Sequence, residues 1–257
     1  MTNERPSFTR FRDRLLARER MLGTFLKLPT TQVVEMLGPL GYDFVVIDQE
    51  HAPLDRGITD LMILAARASN IAPLVRIPEF SPSAILSALD CGAMGIMVPH
   101  VNSVEKAKAV AQSCRYAGGQ RGFAGLTRAS SWGSVGGTQH MAAQDSQVAC
   151  IVMIEDQDAV EHAADIARVD GVDALFIGRG DLTASFGNDP DAASKVAEIS
   201  RTVAAAARDA GVPLLMLPTS KDDLEFVKEI GASAMLLSSD HGFIRSAAAK
   251  TINDFSD

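Results

Sequence analysis

The sequence predicts an α/β fold in which eight parallel strands, each followed by a helix, close into a (β/α)8 barrel. Eight short apolar runs recur along the 257 residues, and most of the gaps between them carry a helical pattern. Strands that alternate with helices pair in parallel, because a parallel neighbour needs a crossover connection. Eight such units in about 250 residues favour a closed barrel over an open doubly wound sheet.

The predicted strands are nearly uninterrupted in apolar residues, which is typical of strands buried on both faces. Together they account for a complete core, so we expect residues 1–257 to form a single domain. In chain order the strands are Leu22–Leu26, Asp43–Asp48, Pro73–Ile77, Gly95–Pro99, Cys150–Glu155, Ala174–Gly178, Pro213–Leu217 and Ala234–Ser238.

Helix boundaries are indicated by capping residues. A serine before a helix can accept a hydrogen bond from a free backbone N–H group, and a glycine after it permits the left-handed conformation that ends a helix. The helices predicted in this way are Ala84–Leu89 between Ser81-Pro82 and Gly92, Val104–Cys114 after Ser103, Ala192–Ala210 before Gly211, and Leu224–Ile230 between Ser220 and Gly231.

Both ends of the chain are predicted to carry a further helix. Phe8–Glu19 has an amphipathic pattern, and this helix, within residues 1–20, is expected to cover one end of the barrel. Phe243–Phe255, within residues 241–257, remains partly apolar although the eight strands are complete. Such a helix can cover its own barrel or that of a neighbouring subunit.

One connection is unusually long and rich in glycine. Tyr116–Thr138 contains seven glycines together with Arg121, Arg128 and the single tryptophan, Trp132. A connection of this length within a compact domain is usually functional. It follows a helix, so it starts at the face away from the strand carboxyl ends, but it is long enough to reach the mouth of the barrel or a neighbouring subunit.

Composition narrows the class of protein. A net charge of −8 argues against a nucleic-acid-binding protein, and no apolar run approaches the ~20 residues needed to span a bilayer. The three cysteines, Cys91, Cys114 and Cys150, form an odd set without metal-type spacing, which favours a reduced, cytoplasmic setting. Acidic residues among the first twenty argue against a targeting segment.

Polar residues of the types that act in catalysis and ligand binding are concentrated at the carboxyl ends of the predicted strands. In a barrel these ends converge on one mouth, which is where such folds place their active sites. At the beginnings of the strands, by contrast, the only similar residues are single aspartates such as Asp43 and Asp173. The strand-end residues are Lys27, Asp48, Glu50, His51, Arg76, His100, Glu155, Asp181, Thr219 and Asp240.

Glu155 and Asp181 follow adjacent strands and are both acidic. Facing each other without a cation, they would repel and one would hold its proton. A hard divalent cation would relieve this repulsion, but two solvated acids, or ion pairs to Arg76 and Arg179, would also do so. The residues alone leave these alternatives open.

Arg76 ends an apolar strand and needs an anion, either a protein acid such as Glu50 or a substrate oxygen. His51 is the side chain best suited to move a proton near neutral pH. His100 lies between Pro99 and Val101, which favours a structural role, and His140 and His162 lie outside the strand ends and are interpreted as surface residues.

The strand-end motifs together resemble the metal-dependent class II pyruvate aldolases, the hydroxy-oxo-acid aldolase family that includes 4-hydroxy-2-oxoheptanedioate aldolase. The resemblance runs from about Leu22 to the C-terminus. The motifs that carry it are VIDQEHAP, PLVRI, ALDCGAMGIMVPHV, RGFAG, IVMIE and GVDALFIGRGDL.

This resemblance implies a TIM barrel of the phosphoenolpyruvate/pyruvate-domain type that acts as a lyase on 4-hydroxy-2-oxo acids. Pyruvate and an aldehyde would be the small-molecule partners, and aromatic-compound catabolism is an expected setting. The divalent cofactor would be Mg²⁺, Mn²⁺ or Co²⁺. Relatives exchange the terminal helix between subunits, which implies a homohexamer built as a trimer of dimers.

The resemblance also implies roles for particular residues. Glu155 and Asp181 would be the metal ligands, and Arg76 would support the keto oxygen of pyruvate as it becomes an enolate. His51, with Asp90 as its partner, would assist proton transfer. The remaining implied roles are carboxylate binding by the amides around Gly180 and Asp181, a pocket wall formed by Met216, and orientation of Arg76 by Asp48 and Glu50.

Two residues depart from the family pattern, and both affect the expected substrate choice more than the reaction. Arg179 stands where many members have proline, and Met153 stands where some have glutamine. A Schiff-base mechanism is a rival, with Lys27 as its only suitably placed lysine. The other rivals are an oxaloacetate decarboxylase, a lyase of acyl-CoA such as malyl-CoA or the citrate lyase β type, and a non-catalytic barrel.

Overall fold

The computed structural model describes residues 6–256, and these residues form a closed barrel of eight parallel strands joined in sequence order from β1 to β8, with β8 pairing with β1. The predicted (β/α)8 fold is therefore confirmed. The strands are β1 (Met21–Leu26), β2 (Phe44–Asp48), β3 (Ala72–Arg76), β4 (Gly95–Val98), β5 (Ala149–Ile154), β6 (Ala174–Ile177), β7 (Leu214–Met216) and β8 (Ala234–Ser239).

Helices follow the strands and form the outer layer. Serine side chains accept hydrogen bonds at the start of several of them, as at Ser81, Ser103 and Ser220. The α-helices of the described residues are α1 (Phe11–Leu16), α2 (Gln32–Leu40), α3 (Arg56–Ala68), α4 (Pro82–Asp90), α5 (Val104–Ser113), α6 (Gly137–Gln147), α7 (Gln157–Ala167), α8 (Arg179–Ser185), α9 (Ala192–Ala210), α10 (Lys221–Glu229) and α11 (Asp240–Phe255).

Side chains alternate along each strand between the barrel interior and the layer beneath the helices. In β2, Phe44 and Val46 belong to the interior cluster, whereas Val45 and Ile47 pack under the helices. The same alternation in β3 and β5 directs Leu74 and Ile151 inward. Two residues farther along, the same alternation places the last inward-facing residues of β2 and β3, Asp48 and Arg76, at the mouth of the barrel.

The amino-terminal end of the barrel is closed by α1. Phe11 and Leu15 of this helix are buried in the interior cluster, and the Phe11 ring lies 5.3 Å from the ring of Phe44. Phe11 and Leu15 therefore close the end of the barrel that lies opposite the carboxyl ends of the strands. Access to the interior is therefore from the carboxyl end.

The glycine-rich connection between α5 and α6 is anchored at its base and exposed farther along. Arg121 is buried against Gln144 of α6 and lies over the ring of Tyr116, with 4.5 Å to the ring centroid. Phe123, Leu126 and Trp132, by contrast, are largely exposed. The connection thus presents apolar side chains to the outside of the chain.

The last helix, α11, is mostly exposed, with Ile252 at 66% and Phe255 at 85% of their full accessibility. Phe243, near its start, packs against Tyr42 with ring centroids 6.3 Å apart. None of the helices between residues 6 and 256 combines the length and apolar character that crossing a bilayer requires.

Candidate active site

A cavity of about 450 Å³ lies over the carboxyl ends of the strands. Its polar lining includes Lys27, His51, Arg76, Asp181 and Thr219, and its apolar floor includes Phe25, Met153 and Phe176 from the top of the interior cluster. Residues that are far apart in sequence meet here because the carboxyl ends of the strands, and the segments that follow them, converge at this end of the barrel.

A buried ion pair between Asp48 and Arg76 forms the centre of this mouth. β2 and β3 pair with Asp48 opposite Arg76, so both side chains leave the sheet at the same height. Arg76 Nε donates to Asp48 Oδ1 at 2.9 Å and Nη2 donates to Oδ2 at 2.7 Å. The Phe25 ring, 4.7 Å from the guanidinium carbon, supports the plane of the fork.

The charge of Asp48 is retained despite complete burial. Burial disfavours the ionised form, but the hydrogen bonds from Arg76 and the backbone N–H of His51 outweigh it and hold the pKa of Asp48 below its ordinary value. Lys27 Nζ also lies 3.2 Å from Asp48 Oδ2. Asp48 thus orients the side chains of Lys27 and Arg76.

Glu50 is the second acid of the Arg76 site. Its Oε2 lies 3.0 Å from Arg76 Nη1 and 3.6 Å from His51 Nε2, and its Oε1 lies 3.8 Å from His100 Nε2. Burial raises the pKa of Glu50 although Arg76 opposes the shift. Glu50 therefore lies between the Arg76 guanidinium and the imidazoles of His51 and His100.

Glu155 is the most strongly perturbed acid of the site. Its Oε1 accepts a hydrogen bond from the backbone N–H of His100 at 2.8 Å, and its Oε2 is buried with no hydrogen-bond partner. Burial, together with the negative charges of Asp181 and Glu50, raises the pKa of Glu155 to about 7. The residue at 178 must be glycine, because a side-chain carbon there would collide with the Glu155 carboxylate.

The donor set fits a divalent cation. Among the described residues, ligand atoms of Glu50, His100 and Glu155 all lie within 4.8 Å of one another. Glu155 Oε2 lacks a hydrogen-bond partner, and burial together with the charges of Asp181 and Glu50 raises the pKa of this residue; a bound cation would offset both effects. Asp181, in the first turn of α8, is exposed and lies outside this cluster, although its charge acts on Glu155.

Comparison with known protein families agrees with the barrel fold and with the residues found at its mouth. The family model described as HpcH/HpaI aldolase/citrate lyase matches residues 21–247. The chain belongs to this family. All eight strands and the whole mouth fall inside the matched range, so the predicted resemblance and the enzyme class, a metal-dependent aldolase, are confirmed.

Individual relatives cover nearly the whole chain. A 5-keto-4-deoxy-D-glucarate aldolase of Enterobacter sp. (strain 638) is 32% identical over 252 residues, which is 96% of each chain. The crystal structure of an HpcH/HpaI aldolase/citrate lyase family protein from Burkholderia cenocepacia J2315 has a TM-score of 0.90 at 29% identity and covers 97% of this chain and 100% of that one. A crystal structure of a citrate synthase has a TM-score of 0.85 at 28% identity and covers 95% and 96%.

In this member of the HpcH/HpaI family, Arg179 does not add an unpaired charge near Glu50, His100 and Glu155, because it is held in an ion pair. Its Nη1 donates to Asp223 Oδ1 at 2.6 Å and its Nη2 donates to the carbonyl of Leu217 at 2.7 Å. Asp223 also accepts from the backbone and hydroxyl of Thr219. The Arg179 hydrogen bonds lower the pKa of Asp223 to about 2, and the pair links the first turns of α8 and α10, the helices that follow β6 and β7.

Two predicted site residues lie elsewhere. The expectation that Met216 lines the pocket is wrong, because it packs in the layer beneath the helices while Leu215 and Leu217 face inward. Asp90 ends α4, and its carboxylate is 3.7 Å from Arg121. The ion pairs of residues 6–256 do not join it to His51, so the expected His51–Asp90 pair is not formed within this chain.

The interpretation of two histidines also changes. His140 is buried, 3.3 Å from the Tyr116 hydroxyl, and is not a surface residue, whereas His162 is exposed as predicted. His100 belongs to the mouth and not merely to the scaffold. The sequence signal for it was its position two residues after the end of β4, at the carboxyl ends of the strands.

Proposed function

We propose that this protein cleaves, or in reverse forms, 4-hydroxy-2-oxo acids, with pyruvate as the nucleophilic partner and an aldehyde as the other product. The observation that carries the proposal is the position of the Arg76 guanidinium. Asp48 and Glu50 hold it at the wall of the cavity, beside the group formed by Glu50, His100 and Glu155. Such a donor is suited to an oxygen that gains negative charge.

Arg76 retains donors for a substrate. A guanidinium has five N–H groups, and the hydrogen bonds to Asp48 engage two of them, while the contact of Nη1 with Glu50 is an ion pair. The others are available to the keto oxygen of pyruvate as it becomes an enolate. Asp48 and Glu50 orient the fork and do not themselves need to touch the substrate.

The other roles follow from position. The backbone N–H groups of Gly180 and Asp181, in the first turn of α8, are free to hold the substrate carboxylate. His51, half exposed at the cavity and 3.6 Å from Glu50, is placed to exchange a proton with bound pyruvate. Glu155 and Asp181 are proposed as metal ligands, and a bound Mg²⁺, Mn²⁺ or Co²⁺ would supply Lewis-acid stabilisation of the enolate charge.

An aldehyde panel tests this reaction. Pyruvate incubated with short and long aldehydes should yield 4-hydroxy-2-oxo acids, and the same compounds should be cleaved in the reverse direction. We expect activity to disappear on chelation and to return with Mg²⁺, Mn²⁺ or Co²⁺. Full activity after exhaustive chelation would contradict the class II assignment.

The similar citrate synthase structure supports a second candidate reaction. An enolate of a different acid could be formed at the same mouth, as in an oxaloacetate decarboxylase or an acyl-CoA lyase. Oxaloacetate and malyl-CoA belong in the same assay for this reason. Turnover of these compounds without aldol cleavage would favour the second candidate.

We also propose that the chain is a homohexamer, a trimer of dimers in which α11 packs on a neighbouring barrel. The exposed Ile244, Ile252 and Phe255 of this helix support the proposal, since such apolar groups are usually covered in an assembly. Light scattering at micromolar concentration should give about six times the 27.3 kDa chain mass. A mass of one chain would refute the assembly.

A further inference from the structure

A second cavity, of about 570 Å³, lies at the end of the barrel opposite the mouth. Its lining includes Arg12 of α1, the helix that closes this end, and Arg115, which follows α5. Asp173 and Val212, which lie just before β6 and β7, also contribute to the lining. No residue lines both this cavity and the cavity at the mouth, so the two are separate sites.

Two arginines in this second cavity share one carboxylate. Asp173 Oδ1 accepts hydrogen bonds from Arg12 Nε at 2.9 Å and Nη2 at 2.7 Å. Asp173 Oδ2 accepts from Arg115 Nη2 at 2.7 Å and from the backbone N–H of Cys150 at 2.8 Å. A carboxylate offers about four acceptor positions, so that of Asp173 is fully used. Neither arginine forms an ion pair with another acid of the described residues, and one guanidinium charge is therefore left without a neutralising partner.

Arg115 has most of its donors unused. Its side chain is only 13% exposed, yet the bond from Nη2 to Asp173 is the one hydrogen bond that its guanidinium donates within residues 6–256. Nη1 is buried and has no hydrogen-bond partner. Such a donor costs free energy, because its hydrogen bonds to water are lost and not replaced. An acceptor group that entered the cavity would offset this cost.

The charge of the lining also favours an anion. Arg168 and Asp170 of the lining are both exposed and offset each other in formal charge. The lining as a whole contains three arginines and two aspartates, which gives it a formal net charge of +1 in a chain whose net charge is −8. Guanidinium groups bind the oxygens of carboxylates and phosphates through their planar forks.

We propose that this second cavity is a binding site for a small oxyanion, whose carboxylate or phosphate group is held by Arg115 with the support of Arg12. Arg115 supplies the unused N–H groups, and Arg12 adds its charge while it remains bonded to Asp173. The cavity volume lies within the range of about 300–1,000 Å³ that is typical of small-molecule sites, so an organic anion fits as well as inorganic phosphate. The inference does not depend on the proposed aldolase reaction.

Calorimetric titration with inorganic phosphate and with malonate tests the affinity, and chloride at matched ionic strength controls for general screening. We expect saturable binding of at least one of the two oxyanions to the wild-type protein. Arg115→Gln should weaken it by about 10- to 100-fold, because hydrogen bonds to a charged group are lost. Arg12→Gln should also weaken it, and in this variant Arg115 still pairs with Asp173. The matched control is Arg201→Gln on the exposed face of α9, which should bind as the wild type does.

Hydrogen exchange followed by mass spectrometry locates the bound anion. Phosphate or malonate should slow exchange of the backbone amides in residues 112–118 and 168–173, which line the second cavity, and this protection should be lost in Arg115→Gln. Protection by phosphate alone would assign the site to phosphate groups, and protection by malonate alone would assign it to carboxylates.

The inference would be overturned if neither oxyanion bound in a saturable way, or if chloride had the same effect. Binding that is unchanged in both folded variants would also overturn it, as would protection confined to the mouth. None of these results bears on the aldolase proposal, which is tested separately by turnover.

Discussion

Replacing Arg76 with lysine should lower the rate of aldol cleavage by about 10²- to 10³-fold, the cost of losing one donor to a developing oxyanion. Lysine keeps the positive charge but has a single compact ammonium, which cannot contact both Asp48 and Glu50 and still present a donor to the substrate. The binding constant for pyruvate should change much less than the rate. Steady-state kinetics together with pyruvate titration would separate the two effects.

The control for this substitution is Arg168→Lys. Arg168 lies at the end of α7 and is exposed beside Asp165, so its replacement should leave the rate unchanged. Circular dichroism and thermal unfolding would show that the Arg76 variant is folded, which matters because Asp48 would be left partly unpaired. Arg76 would be a ground-state anchor, and not an enolate stabiliser, if the variant kept the wild-type rate and only bound pyruvate more weakly.

The fold was predictable because the strands of a closed parallel barrel carry a clear signal. Most strands are buried on both faces along their length, so they form apolar runs that stand out from the amphipathic helices on either side. The predicted Ala234–Ser238 and the observed Ala234–Ser239 differ by one residue, for example. Alternation within the strands also places Asp48 and Arg76 on inward positions of neighbouring strands.

Met216 was assigned to the pocket against the alternation of β7, in which Leu215 faces the interior and Met216 packs beneath the helices. The other errors concern features that strand periodicity does not determine. The left-handed turn at His100 depends on its hydrogen bond to Glu155, a residue 55 positions away, and such a bond has no local sequence signature. The Arg179–Asp223 ion pair likewise joins the starts of α8 and α10, two helices whose approach is set by the closed barrel.

The second prediction with a large effect concerns proton exchange, which tests enolate formation without knowledge of the aldehyde. Protein that forms pyruvate enolate must sometimes return a proton to it when no acceptor is present. In heavy water, the methyl protons of pyruvate should then be replaced by deuterium. His51→Ala should slow this exchange by about 10²-fold or more, the usual contribution of a positioned general base.

His162→Ala is the control, because His162 is an exposed histidine on α7 that does not line the cavity. Exchange that persists in His51→Ala while aldol cleavage falls would show that His51 shapes the loop after β2 and does not carry the proton. Glu50, 3.6 Å from His51, would then be the next residue to replace.

Deuterium incorporation into pyruvate, followed by proton nuclear magnetic resonance, therefore tests the central claim most directly. We expect the methyl signal to decay in the presence of protein and Mg²⁺, Mn²⁺ or Co²⁺, and to remain nearly constant after chelation. The absence of any exchange over hours, with the protein folded and a divalent cation bound, would contradict the claim that this mouth generates pyruvate enolate.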